Sequence, residues 1–204
     1  MDEKLKSIFE MLGDEVAELH YRWSIYEEVY AGDAAQTELL NRNGSNFFYY
    51  VQHLMLDNVA LALSKLTDPS KQYKNENLSL SQIYDYIKNS DEDQLAKILK
   101  EKFDELLKAC EKFRKLRNKR IAHGDLQHAM RKAGKPLPGI SRDDVKKALS
   151  LLSEYMNIVE LHYNNSQTGY SLTKGPYGAG GEALVKALKN LSELMELMGS
   201  EYIK

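Results

Sequence analysis

Leu95-Ala96-Lys97-Ile98-Leu99-Lys100-Glu101-Lys102-Phe103-Asp104-Glu105-Leu106-Leu107-Lys108-Ala109-Cys110 runs straight into Glu111-Lys112-Phe113-Arg114-Lys115-Leu116-Arg117-Asn118-Lys119-Arg120-Ile121-Ala122-His123-Gly124-Asp125. The apolar residues Leu95, Ile98, Leu99, Phe103, Leu106, Leu107, Cys110, Phe113 and Leu116 recur in steps of three and four, the signature of one buried helix face. The spacing predicts a helix over about 91–123, stopped by Gly124. Six of the nine residues from Lys112 to Arg120 are Lys or Arg, and the run ends in a histidine, a glycine and an aspartate. Cations on the last turns of a helix complement its macrodipole, which explains part of this charge without any function. A proton-carrying imidazole at its end is less ordinary.

The same periodicity extends in both directions. Leu5, Ile8, Phe9, Leu12, Val16, Leu19, Trp23 and Tyr26 describe one stripe, and Asp33 is a natural N-cap for a following helix. That helix either continues to Leu66 or breaks near Asn43-Gly44-Ser45. An N-terminal helical hairpin over about 4–66 follows. Its second arm, Phe47 to Leu63, is apolar nearly all round, so it should be buried by its own domain and by a partner subunit. His53 within it reads as a core or interface histidine. Thr67-Asp68-Pro69 ends the hairpin. Ser79-Leu80-Ser81-Gln82 looks like a capping box for a short helix. Ser141-Arg142-Asp143-Asp144 opens a helix over about 142–164, with Val145, Leu149, Leu152, Tyr155, Met156 and Val159 inward. Loops are expected over about 126–140 and 165–181. A last helix, about 182–199, should turn Leu184, Leu188, Leu191, Leu194, Met195 and Met198 inward. No strand is predicted. The expectation is an all-α helical bundle of about six helices, forming a single domain over 1–204.

Composition narrows the function. The chain has 204 residues, 28% charged and 43% hydrophobic, with four prolines and a formal charge of −2. Any polyanion site must therefore be a local patch. Cys110 is the sole cysteine, which rules out an intrachain disulfide and a cysteine metal cluster. No stretch resembles a signal peptide or a membrane span, so the expected setting is soluble and cytoplasmic, without a membrane partner. No Gly-rich phosphate loop, zinc signature or nucleophile elbow occurs. The paired carboxylates Asp14/Glu15 and Glu27/Glu28 read as solvated helix faces. His20 and His162 lack the company of a metal site. Neither a metal nor another cofactor is expected.

The segment from Arg117 to His123 fits RNA cleavage. A base must take the proton of the 2′-hydroxyl and an acid must protonate the departing 5′-oxygen. A cation must stabilise the phosphorane. One histidine and one or two arginines suffice, and a guanidinium fork grips two phosphate oxygens. At ~100° per residue, Arg117 and His123 stand ~120° apart on a straight helix. They meet only if the helix ends or distorts between them, or if two chains contribute.

Arg117-Asn118-x-x-x-x-His123 resembles the Arg-x(4–6)-His signature of HEPN domains. Glu38-Leu39-Leu40-Asn41, Phe47-Phe48-x-x-Val51-Gln52, Lys65-Leu66-Thr67-Asp68-Pro69, Asn77-Leu78-Ser79-Leu80, Ile121-Ala122-His123-x-Asp125 and Tyr177-Gly178-x-Gly180-x-x-Ala183-Leu184 are similar to AbiU-type abortive-infection HEPN proteins. The resemblance implies a HEPN-like helical core and metal-independent endoribonuclease activity in phage defence or a toxin–antitoxin pair. It implies a homodimer whose two motifs face each other. Arg117 would bind the scissile phosphate, Asn118 would position it, and His123 would be the acid or base. Arg114, Lys115, Lys119 and Arg120 would contact RNA, tRNA included, with Lys112 on the outer rim and Asp125 supporting from behind. An antitoxin is a candidate protein partner. The alternative is a non-catalytic HEPN-like module that binds nucleotide, RNA or a protein.

Overall fold

The structure is a computed structural model. It describes residues 1–122, 125, 126, 130, 136–173, 175, 176 and 178–201, without the side chains of 199–201. Its helices are α1 (Glu3–Tyr30), α2 (Ala34–Arg42), α3 (Ser45–Leu66), α4 (Leu80–Lys88), α5 (Asp93–Ala109), α6 (Glu111–Leu116), α7 (Arg142–Asn164) and α8 (Gly181–Glu201). A π turn occupies Arg117–Ile121 and a 3₁₀ turn Tyr170–Leu172. The fold is all-α, with more and shorter helices than the pattern suggested. The expected continuous helix over about 91–123 is divided at Cys110, where ψ opens to 0° between α5 and α6. The 71–76 loop holds a minimal antiparallel hairpin, Lys71–Gln72 with Asn75–Glu76, turning through Tyr73 at φ 57°. Two-residue strands carry no hydrophobic alternation, so sequence pattern does not register them.

The caps follow local chemistry. Asp33 Oδ1 accepts from the Gln36 amide at 2.9 Å. Ser141 and Asp144 form a reciprocal capping box at the start of α7. Gly44, at φ 138°, separates α2 from α3 in a conformation that favours glycine. The capping box expected at Ser79 is absent: its hydroxyl pairs with that of Ser81 at 2.8 Å, and Gln82 reaches back to the Ser70 and Asn77 carbonyls.

The chain divides into two compact units. The larger comprises Met1–His20 and Asp57–Ser171. In it α5 packs on α4 and α7, and Leu99, Leu106, Cys110, Phe113, Val145, Leu152, Tyr155 and Met156 are fully buried. The Tyr155 hydroxyl donates to the Leu80 carbonyl at 3.0 Å, satisfying its polar end inside the core. Leu5, Phe9, Leu12, Val16 and Leu19 are buried as their stripe predicts. Buried His20 has Nε2 2.8 Å from the Ser153 hydroxyl.

The smaller unit comprises Tyr21–Leu56 and Leu172–Lys204. Its core is Val29, Leu40 and Phe48, with Tyr30 and Leu188 packed against it. Within the single chain, two apolar helix faces are left uncovered. In the first half of α3 Phe48 faces the core, whereas Phe47 is 64%, Tyr50 66% and Leu54 68% exposed, and His53 is an exposed residue, not a core one, whose Nδ1 lies 2.8 Å from the Tyr49 carbonyl. In α8, Leu184, Leu191, Leu194, Met195 and Met198 are exposed, not inward. Periodicity shows that a helix has an apolar face; it does not supply the surface that covers it. Nor is Glu28 a merely solvated carboxylate. Its Oε2 accepts from the Gly181 amide at 2.7 Å and the Glu182 amide at 3.3 Å, capping the N-terminus of α8. A Cβ on Gly180 would come within 2.6 Å of that oxygen.

Candidate functional site

The basic run occupies α6 and the π turn. Ala122 N donates to Arg117 O at 2.8 Å, the i→i+5 bond that replaces the α-helical ladder here. The helix therefore departs from straight geometry at Arg117, the residue from which the motif is counted. Single π turns recur at functional sites because they re-aim side chains. His123 and Gly124 lie outside the described residues, as do His128, Arg131, Lys132 and Lys135.

Arg117 is oriented from two sides. Its Nη1 donates to Asp68 Oδ2 at 2.6 Å, and its Nε donates to Asn118 Oδ1 at 3.0 Å. Asp68 also receives Arg114, whose Nη1 lies 3.2 Å from Oδ1. One carboxylate thus bridges two guanidiniums. The side chains of Arg117 and Asp68 are only 19% and 17% exposed, so charge here is less screened than on open surface. Asp68 follows the end of α3 and comes from a part of the sequence that charge-run reading does not touch. Its Thr-Asp-Pro context shows only a helix stop; the ion pairs are a product of folding.

The other cations of the run are engaged as well. Lys115 pairs with Glu111 at 2.6 Å and Lys119 with Asp125 at 2.7 Å, while Arg120 pairs with Asp57. Lys112 bonds Asp144 at 2.8 Å, and with the Ser141 backbone it pulls that carboxyl down to about 2. Lys112 thereby ties α6 to the cap of α7. The run is less a bare positive patch than a set of partnered cations. Cys110, buried beneath it, has its thiol pushed up to about 12 by burial. Among the described residues no cluster of His, Cys, Asp and Glu could hold a metal ion. No helix of the described residues is long and apolar enough to cross a membrane.

The all-α fold of the described residues is that expected of a HEPN protein. The HEPN_AbiU2 family model, described as AbiU2, matches residues 2–201, so the chain belongs to this abortive-infection HEPN family. No curated protein and no solved structure matches the chain.

Proposed function

We propose that the protein is a metal-independent RNA endonuclease of a phage-defence or toxin–antitoxin system, acting in the cytoplasm. The observation that carries this reading is Arg117, a half-sequestered guanidinium at the start of a π turn, aligned by Asp68 and Asn118. A side chain held on two edges loses little freedom when a phosphate meets its remaining edge. In the reaction, His123 moves the proton at the 2′- or 5′-oxygen. Arg117 neutralises the phosphorane, and Asn118 fixes the Arg117 fork. Arg114, Lys115, Lys119 and Arg120 draw in the backbone, with Asp125 holding Lys119. Two chains form the working unit, and the exposed Phe47, Tyr50 and Leu54 stripe supports association.

The test is cleavage of total RNA and tRNA by wild type, Arg117→Ala and His123→Ala, with EDTA present. Cleavage by wild type alone is expected; the same cleavage by all three ends the proposal. A second reading, a non-catalytic module binding RNA, nucleotide or an antitoxin, is favoured by one feature: each cation of the run already holds a carboxylate. Salt-dependent RNA binding without scission would select it.

A further inference from the structure

We infer that Asp68 sets the phosphate specificity of the site, making it selective for an internal phosphodiester over a terminal phosphate. The inference rests on the reading of Arg117 as the phosphate-binding group, and it assigns a role to a residue outside the motif.

The geometry is a three-residue charge cluster. Arg117 Nη1 and Arg114 Nη1 converge on the two oxygens of the Asp68 carboxylate, at 2.6 and 3.2 Å. Arg114 is committed further: its Nη2 donates to the Thr67 carbonyl at 2.8 Å and hydroxyl at 2.9 Å. Arg117 has Nε on Asn118, and its Nη2 donates to no group among the described residues. Among the described residues the open edge of the cluster is therefore Arg117 Nη2, and Asp68 need not leave for a phosphate oxygen to bind there.

Charge then decides which phosphate fits. Two guanidiniums and one carboxylate leave a single net positive charge. A phosphodiester carries one negative charge and brings the cluster to neutrality. A phosphomonoester carries ≈ −1.5 to −2 at neutral pH and close to −2 above it. It would leave an excess negative charge beside Asp68. All three side chains are mostly shielded from water, where like charges repel more strongly than on an exposed face. The retained carboxylate thus discriminates against RNA ends and mononucleotides and accepts the interior of a strand, which an endonuclease requires.

The test uses the full chain and two probes that differ by one methyl group: uridine 5′-monophosphate and its O-methyl ester, a phosphodiester. Each displaces a fluorescein-labelled 2′-O-methyl RNA, which lacks the attacking hydroxyl, at pH 8. Wild type is expected to bind the ester roughly three- to ten-fold more tightly than the monoester. Asp68→Asn, which keeps an oxygen acceptor but removes the charge, should strengthen monoester binding more than ester binding and bring their ratio to one or below. Equal or reversed preference in wild type overturns the proposal. So does an Asp68→Asn variant that weakens both probes with an unchanged ratio, since Asp68 would then only position Arg117. Should Asp68→Asn fail to fold, the wild-type preference still decides. Arg117→Ala separates the two levels: unchanged binding of both probes removes the phosphate-binding reading itself, whereas lost binding with no wild-type preference removes the selectivity alone.

Discussion

Arg114 closes the end of α3: its Nη2 donates to both the carbonyl and the hydroxyl of Thr67, at 2.8 and 2.9 Å, one residue beyond the helix. Thr67 Oγ1 in turn donates to the Leu63 carbonyl at 2.8 Å. Two cations one helical turn apart, Arg114 and Arg117, therefore have different work. The first also supports a helix terminus, while the second is the cation proposed above to meet the phosphate.

Stability should separate them. Arg114→Ala strips a charged donor from a buried carbonyl and hydroxyl. After discounting for partial exposure, the loss is about 1–2 kcal/mol, or a fall in Tm of about 3–6 °C. Arg117→Ala leaves Asp68 paired with Arg114 and should cost less than about 1 kcal/mol. Calorimetry of the two variants checks the order; a reversed order would contradict it.

Arg117→Lys keeps the charge but replaces a planar fork with a point donor. Nuclease activity should fall at least ~10-fold, and Arg117→Ala or His123→Ala should fall ~10²–10⁴-fold. Initial rates on one RNA in EDTA measure this. A fully active lysine variant would mean that charge alone suffices.

His20 provides a pH signature. Burial holds its pKa below the ordinary 6.5, opposed in part by a backbone hydrogen bond at Leu149. The folded state then binds fewer protons than the unfolded one. Its contribution to stability is intact above pH ~6.5 and declines as pH falls from there toward the folded pKa. Urea unfolding at pH 7.5 and 5.5 should show this loss, and His20→Gln should reduce it. An identical pH dependence in the variant would exclude His20 as the source.

The Cys110 thiol, raised to about 12 by burial, is almost wholly protonated at pH 8 and shielded from reagent. A disulfide reagent should leave the folded protein unmodified and titrate one thiol per chain only on unfolding. Rapid labelling under native conditions would mean that the packing around α5 and α6 opens readily.

Phe47, Tyr50 and Leu54 lie on one exposed face of α3. Tyr50→Glu with Leu54→Asp should convert a dimer into a monomer by light scattering while helical content is kept, since neither side chain is buried. Unchanged mass in the double variant would place any self-association elsewhere.

Local sequence was sufficient for the helical class, for the Asp33 and Ser141 caps, and for the buried stripes of α1, α5 and α7, except that Ile98 of the α5 stripe is 44% exposed. Each is written within a few residues: a cap needs one oxygen near an amide, and a stripe needs only the 3.6-residue period. Tertiary structure decided the rest. Asp68 lies 49 residues from Arg117 and Asp57 lies 63 from Arg120, so only folding reveals that these cations are partnered. The split at Cys110 and the π turn fall in a stretch without glycine or proline, so no helix-breaking residue announces them. Glu28 became the cap of α8 because the chain returns 153 residues later with Gly181 beside it. The exposed faces of α3 and α8 mark the same boundary. An amphipathic sequence specifies that a face is apolar, while three-dimensional packing alone determines whether anything lies against it.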